Sequence, residues 1–307
     1  MPSGGWWPEA TSTWSSSAAS AIAESAWTAA FLALGKFSQA RPRVWQPLGG
    51  GTVLVVAPHP DDETLGCGGT LIRHRRAGDR VLVLVVTDGR ASGAGALSPD
   101  EMAARRLVEA RNAAAQLGVD LESLSLPEGG WQASDLEVHL RDYVGGAEVS
   151  ILYAPSPVDY HPEHLRVARA LAAALSWAAH PPRVRVCELG VPLGATLTNV
   201  VVPTTSVERQ RRAALDAYAT QAMGIAGLAR LRRYAGVRWL GGGIAEPFWE
   251  LSPAAYRAVV AAGDWGAGAA KSPFRGLRPR AFGDPLSYLV AQAARRRLAR
   301  VAAQVLG

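Results

Sequence analysis

"VLVVAPHPDDETLGCGG", residues 53–69, joins an almost wholly apolar run to four ionisable side chains, His59, Asp61, Asp62 and Glu63. A continuous Val/Leu run marks a strand buried on both faces, and the segment from Glu63 to Gly78 reads as a helix closed by that glycine. Four ionisable groups at the mouth of a buried element cost solvation free energy unless something binds them. A cation is the obvious candidate. Capping a helix start explains one or two of the carboxylates, but not His59 beside them.

The same alternation continues outward. "RVLVLVVTDG" (80–89) is a second buried strand, and "SPDEMAARRLVEARNAAAQLGV" (98–119) a helix with Ser98 as cap, Pro99 in its first turn and Glu101 completing a capping box. "LESLSLP" (121–127) is a weaker strand and "SDLEVHLRDYVGG" (134–146) a short helix. "VSILYAPSP" (149–157) is an apolar strand and "HPEHLRVARALAAALSWAA" (161–179) a helix. "RVRVCELG" (183–190) and "LTNVVVP" (197–203) are strands, and "SVERQRRAALDAYATQ" (206–221) is helical. This order predicts an α/β, Rossmann-like three-layer fold with a mostly parallel sheet and helices on both faces. Ligand crevices in such sheets lie beyond the carboxyl ends of the strands. "HPDD" and "DYHPEH" (159–164) both follow strands, so the two clusters are expected to meet at one crevice.

In "HPEH", Pro162 suits the first helical position, which puts His161 at the cap and His164 in the first turn on the same face. Only six histidines occur in 307 residues, and three fall in these two strand-end loops, which argues against coincidence. Two histidines and one carboxylate form a common three-ligand set for catalytic zinc, with a fourth position open for water. Such a water is acidified towards pKa ~7 and can attack a carbonyl; a neighbouring carboxylate takes its proton. Chemistry alone therefore reaches metal-assisted hydrolysis. It leaves open which of Asp61 and Asp62 has which task.

Composition limits the alternatives. Charged residues at 19% and hydrophobic ones at 49% describe a globular chain. Cys67 and Cys187, the two cysteines, are too few for a disulfide framework or a thiolate zinc cluster, which fits a reducing, cytoplasmic setting. No stretch of about 20 apolar residues predicts a membrane span, and no basic region precedes the weakly apolar N-terminal patch as in a signal peptide. The net charge of +6 is concentrated in the tail. From Lys271 onward there are eight basic residues and one acid, leaving 24 basic and 25 acidic residues before it. A neutral body argues against a nucleic-acid groove.

At these motifs the chain resembles a known family. "APHPDDETLGCGG", "VTDG", "RLVEARNAAAQLGV", "HPEH", "QRRAALDAYATQ" and "EPFWEL" follow the order and spacing of the LmbE-like, or N-acetylglucosaminyl-phosphatidylinositol deacetylase (PIG-L), family over residues 52–250. The resemblance implies a zinc-dependent N-deacetylase acting on the acyl amide of an amino sugar in a larger conjugate. It makes His59, Asp62 and His164 metal ligands, Asp61 the general base and His161 the acid or oxyanion partner. Asp88 in "VTDG" reads as a crevice position or a turn residue, and Arg106 as a substrate-side or surface arginine. The same donor set also accommodates ferrous iron. Where the family usually has Asp between the histidines, this chain has Glu163. Alternative functions are a broader amidase on thiol-conjugate or lipid amides, or a non-catalytic sugar-binding relic; the intact Asp61 speaks against the relic.

The expected organisation is an N-terminal helical extension (1–48, with a helix over 18–37), a deacetylase domain (49–262) and a basic tail (263–307). In the tail, "GDPLSYLVAQAARRRLARVAAQVLG" has Asp284 as a cap and an apolar stripe of Val290, Ala294, Leu298, Val301 and Val305. Arg295, Arg296, Arg297 and Arg300 fall largely off that stripe. The plainer reading is a terminal helix packed on its own domain; the alternative is a peripheral contact with an anionic membrane or a partner.

Overall fold

The computed structural model describes residues 25–26, 29, 41–92, 97–146, 149–159, 161–178, 180–189, 193–221, 226–262 and 285–306. The expected N-terminal helix and the Asp284 cap lie outside these, apart from three helical positions at 25, 26 and 29. Eight strands form one sheet: β1 (Arg43–Val44), β2 (Thr52–Ala57), β3 (Arg80–Thr87), β4 (Asp120–Leu126), β5 (Val149–Ala154), β6 (Arg183–Cys187), β7 (Val200–Pro203) and β8 (Ala245–Leu251), in spatial order β1-β7-β8-β6-β5-β2-β3-β4. All pairings are parallel except those of β8, which runs antiparallel to β6 and β7.

The helices are α1 (Asp62–Ala77), α2 (Pro99–Leu117), α3 (Ala133–Gly146), α4 (Pro162–Ala174), the single turn α5 (Gly194–Leu197), α6 (Glu208–Asp216), α7 (Ala226–Leu240), α8 (Pro253–Ala262) and α9 (Pro285–Leu306). Strand β2 shows why both faces are covered. Leu54 and Val56 point into one apolar cluster with α3, α4, α8 and α9. Val53, Val55 and Ala57 point into the other, with α1, α2, α6 and α7. Chain order runs outward from β2 in both directions, so the β2–β5 boundary is the topological switch point. The "HPDD" and "HPEH" loops leave the sheet there.

Local signals are used as read. Ser98 and Glu101 make the reciprocal capping box of α2, and Gly78 closes α1 with φ 92°. Gly69 is required by packing: a Cβ there would stand 2.8 Å from the Thr204 side chain. That close approach lets Glu246 of β8 accept hydrogen bonds from Gly69 N (3.0 Å), Thr70 N (2.7 Å) and Thr70 Oγ1 (2.6 Å). A buried polar chain anchors the other end of α1. Arg185 Nη1 donates to Tyr153 Oη (3.0 Å), the tyrosine hydroxyl to His74 Nε2 (2.9 Å), and His74 Nδ1–H to Asp79 Oδ2 (2.6 Å). Burial lowers the His74 pKa to about 4 against the pull of Asp79, which keeps the ring neutral as this chain of bonds requires.

Several boundaries differ from expectation. Arg43–Val44 pairs with β7, so the sheet begins inside the stretch read as an N-terminal extension. The helix expected over 206–221 is broken: 3₁₀ turns at Thr205–Val207 and Ala219–Gln221 flank α6. Polar ties draw the chain away after Asp216, with Tyr218 Oη donating to Glu63 and Thr220 Oγ1 to Glu109. In the tail, Leu298 is 1% exposed and joins the α8 cluster with Ala302. Arg295, placed off the apolar stripe from sequence, is buried. Leu298 and Ala302 thus set α9 against the α8 side of the core. Leu298→Ala is expected to cost about 2–5 kcal/mol in urea unfolding, as for other buried leucines; a change below about 0.5 kcal/mol, the usual surface value, would remove α9 from the core. No helix among the described residues is long and apolar enough to cross a membrane.

Candidate active site

The site is built at the turn between β2 and α1. Asp61 precedes the helix with φ 129° and ψ −28°, a region costly for a non-glycine residue. Three contacts hold it. Glu63 Oε2 accepts from Asp61 N (3.1 Å), Arg106 Nη2 donates to Pro60 O, and the same nitrogen stands 3.4 Å from Asp61 Oδ2. Glu63 is fixed in turn by Thr64 Oγ1 and Tyr218 Oη, both at 2.5 Å. The Asp61 carboxylate makes no capping bond, so helix capping does not explain it. Burial pushes its carboxyl up to about 7, against the opposing charge of Arg106.

Three donor atoms from both loops converge beside it. His59 Nδ1 lies 3.2 Å from Asp62 Oδ2 and 3.2 Å from His164 Nε2, and the latter two are 3.1 Å apart. Ligands ~2.0–2.1 Å from one zinc ion at near-tetrahedral angles stand roughly 3.2–3.4 Å apart, so the triangle fits a divalent cation. The electrostatics agree. Despite burial, which opposes both charged forms, the Asp62 carboxyl is held well below its ordinary range by His164 and His59. The His164 imidazole is held well above its ordinary range by Asp62 and Asp159. The centre calls for positive charge.

Each histidine of the triangle has a carboxylate at its outer nitrogen. Asp159 Oδ2 is 3.1 Å from His164 Nδ1, and Glu128 Oε1 is 3.4 Å from His59 Nε2. Outer carboxylates of this kind fix ring orientation and raise ligand basicity. His161 caps α4, with Nδ1 accepting from Glu163 N (3.3 Å). Its Nε2 therefore carries the proton in the neutral ring and faces the crevice, 3.5 Å from Glu128 Oε1. One ring nitrogen from each of His59, His161 and His164 lies within 4.8 Å of the other two.

The structure thus brings His59, Asp61, Asp62, His161 and His164 together. Arg106 belongs to the same site but stands behind Asp61, only 3% exposed. Asp88 is a brace between loops: its Oδ1 accepts from Arg90 N (3.1 Å) and Glu128 N (3.2 Å), its Oδ2 from Arg90 Nε (2.7 Å). Both its oxygens are committed within the protein. No sequence pattern assigns a role to Glu128 or Asp159. The rule that crevice residues follow strand ends points to both, since they follow β4 and β5, but a single carboxylate in a turn carries no pattern.

Residues 54–175 match the model of the family described as PIG-L: GlcNAc-PI de-N-acetylase. The chain is 32% identical to the diacetylchitobiose deacetylase of Thermococcus kodakarensis over 42% of its own length and 51% of the relative's. It is 29% identical to the 1D-myo-inositol 2-acetamido-2-deoxy-alpha-D-glucopyranoside deacetylase of Kineococcus radiotolerans, over 41% and 45%. The chain spans about half the length of these curated relatives. A crystal structure of a conserved protein from Thermus thermophilus is similar with a TM-score of 0.54 and 30% identity, covering 64% of this chain and 92% of that one. The chain belongs to the PIG-L, or GlcNAc-PI de-N-acetylase, family.

Proposed function

We propose that this chain is a metal-dependent amide hydrolase that removes the acetyl or a related acyl group from an N-acyl amino sugar within a larger conjugate. One observation carries the reading: the triangle of His59 Nδ1, Asp62 Oδ2 and His164 Nε2, with the uncapped carboxylate of Asp61 beside it. A divalent cation held there, zinc or ferrous iron by its donor set, supplies Lewis acidity to the amide carbonyl and acidifies water towards neutrality. Asp61 accepts the proton of the attacking water and delivers it to the leaving amine. Arg106 keeps its carboxylate in place. The His161 Nε2–H, facing Glu128 when no substrate is bound, donates to the oxyanion that forms at the former carbonyl. Asp88 and Asp159 hold the loops and His164 in register for this.

The two relatives support an amino-sugar substrate, since both of their names specify an acetylated amino sugar. A small-molecule conjugate also suits a body with 24 basic and 25 acidic residues before the tail, which offers no broad basic surface for nucleic acid. Two free, buried cysteines support a cytoplasmic setting. The test measures amine release from N-acetylglucosaminyl-inositol and diacetylchitobiose against a non-sugar acetamide of similar size. The sugar conjugates should exceed the plain acetamide by roughly tenfold or more in kcat/KM, the scale at which a few pocket contacts discriminate. Equal rates would favour a broader amidase, and no turnover with full metal occupancy a binding relic.

A further inference from the structure

Glu163 sits between His161 and His164 in the first turn of α4 and is 2% exposed. It spends none of its carboxylate on its own helix N-terminus. Its Oε2 accepts from the indole Nε1 of Trp131, and Arg166 Nη1 lies 3.4 Å from Oε1. The same Arg166 nitrogen donates to Trp131 O (3.0 Å), and its guanidinium stands 5.1 Å from the indole ring centre. Trp131 is thus held at its N–H, its carbonyl and its ring face by one turn of α4. It is 2% exposed and packs into the core with Leu136 and Leu165.

Trp131 follows the turn after β4, closed by Gly130 N to Pro127 O (2.9 Å) and bent at Gly129 with φ 82°. That turn carries Glu128, whose Oε1 stands 3.4 Å from His59 Nε2 and 3.5 Å from His161 Nε2. Glu128 is anchored at its other end by Ala91 N to Oε2 (3.1 Å) and by its own N–H to Asp88. The β3 side of the turn is therefore pinned through Asp88 and the α4 side through Trp131. Without the second anchor the turn could tilt, and Glu128 would lose its distance from the two imidazoles.

We infer that Glu163 is a positioning residue: by latching Trp131 it fixes Glu128 opposite His161 and His59, so that one turn of α4 sets both the histidines and the carboxylate that faces them. This rests on the proposed catalytic reading of the site. The latch also explains the residue type, because a shorter Asp at 163 would withdraw its carboxylate from the indole by one methylene.

The experiment is a double-mutant cycle on kcat/KM with metal content measured throughout. Glu163→Leu should lower kcat/KM by about 10–100-fold, the usual effect of an outer-shell partner, with metal retained. Glu163→Gln, whose amide oxygen still accepts from the indole, should recover most of that loss. In a Glu128→Ala background Glu163→Leu should cost nothing further, because the residue through which it acts is gone. Trp131→Phe, which keeps the packing, replaces Glu163→Leu in the cycle if that variant does not fold. An equal cost in both backgrounds would overturn the inference and leave Glu163 a general stability residue. The indole N–H resonance of Trp131, assigned by its loss in Trp131→Phe, reports the latch without turnover. It should move in Glu163→Leu and return towards its original position in Glu163→Gln; an unmoved resonance refutes the latch. A wild-type protein that releases no amine but passes the resonance test would fail the functional reading and keep the contact.

Discussion

His164→Ala is expected to abolish stoichiometric metal binding and bring amide hydrolysis to background. The imidazole supplies one corner of the proposed donor set, whose sides are all 3.1–3.2 Å, and the nearest other ring, His161, turns its Nε2 towards Glu128. His161 has its Nδ1 committed to the Glu163 backbone, and Asp159 faces the outer side of the deleted ring. The deletion also leaves the buried Asp159 carboxylate without the ring nitrogen 3.1 Å from it, a loss worth about 1–3 kcal/mol. Stability and metal content should therefore be read together, with His164→Gln as a variant that restores a neutral hydrogen-bonding group. A folded His164→Ala protein with full metal occupancy would show that the donor set lies elsewhere.

Asp61→Asn should fail in a different way. Asn has the same shape and is among the residues that best tolerate positive φ, so the 129° turn and its Glu63 contact should persist. An amide cannot take a proton from water at neutral pH. The expected outcome is retained metal, little change in substrate binding and a fall in kcat of roughly 10²–10⁴-fold, the usual contribution of a positioned base. A drop within a few-fold would move the base to another residue, and Glu128 is the next carboxylate facing the crevice.

The parts of this account visible in the sequence are those written locally. "HPDD" places two carboxylates side by side after a histidine, "HPEH" places two imidazoles on one helical turn, and the Val/Leu runs before them put both at strand ends. What escaped depends on contacts between distant segments. Strand β8 contains Glu246 and Pro247, which speak against a buried strand; Glu246 is satisfied only because Gly69 lets α1 approach. Arg106 is read from sequence as a substrate-side or surface arginine, and only the packing of α2 sets it behind Asp61. Asp88 shares a motif with crevice residues, yet Arg90 and the Glu128 backbone consume its oxygens. Arg295 has no periodicity to distinguish it from its exposed neighbours, and its burial follows from where α9 meets the body.

The central claim is a division of labour between two adjacent aspartates, Asp62 holding the cation and Asp61 taking the proton. Metal per chain, measured beside kcat for Asp61→Asn and Asp62→Asn on one N-acetyl amino-sugar conjugate, tests it most directly. Asp61→Asn is expected to keep its metal and lose turnover, while Asp62→Asn loses metal and regains part of its activity when zinc is added in excess. Metal lost from Asp61→Asn and kept in Asp62→Asn would contradict it.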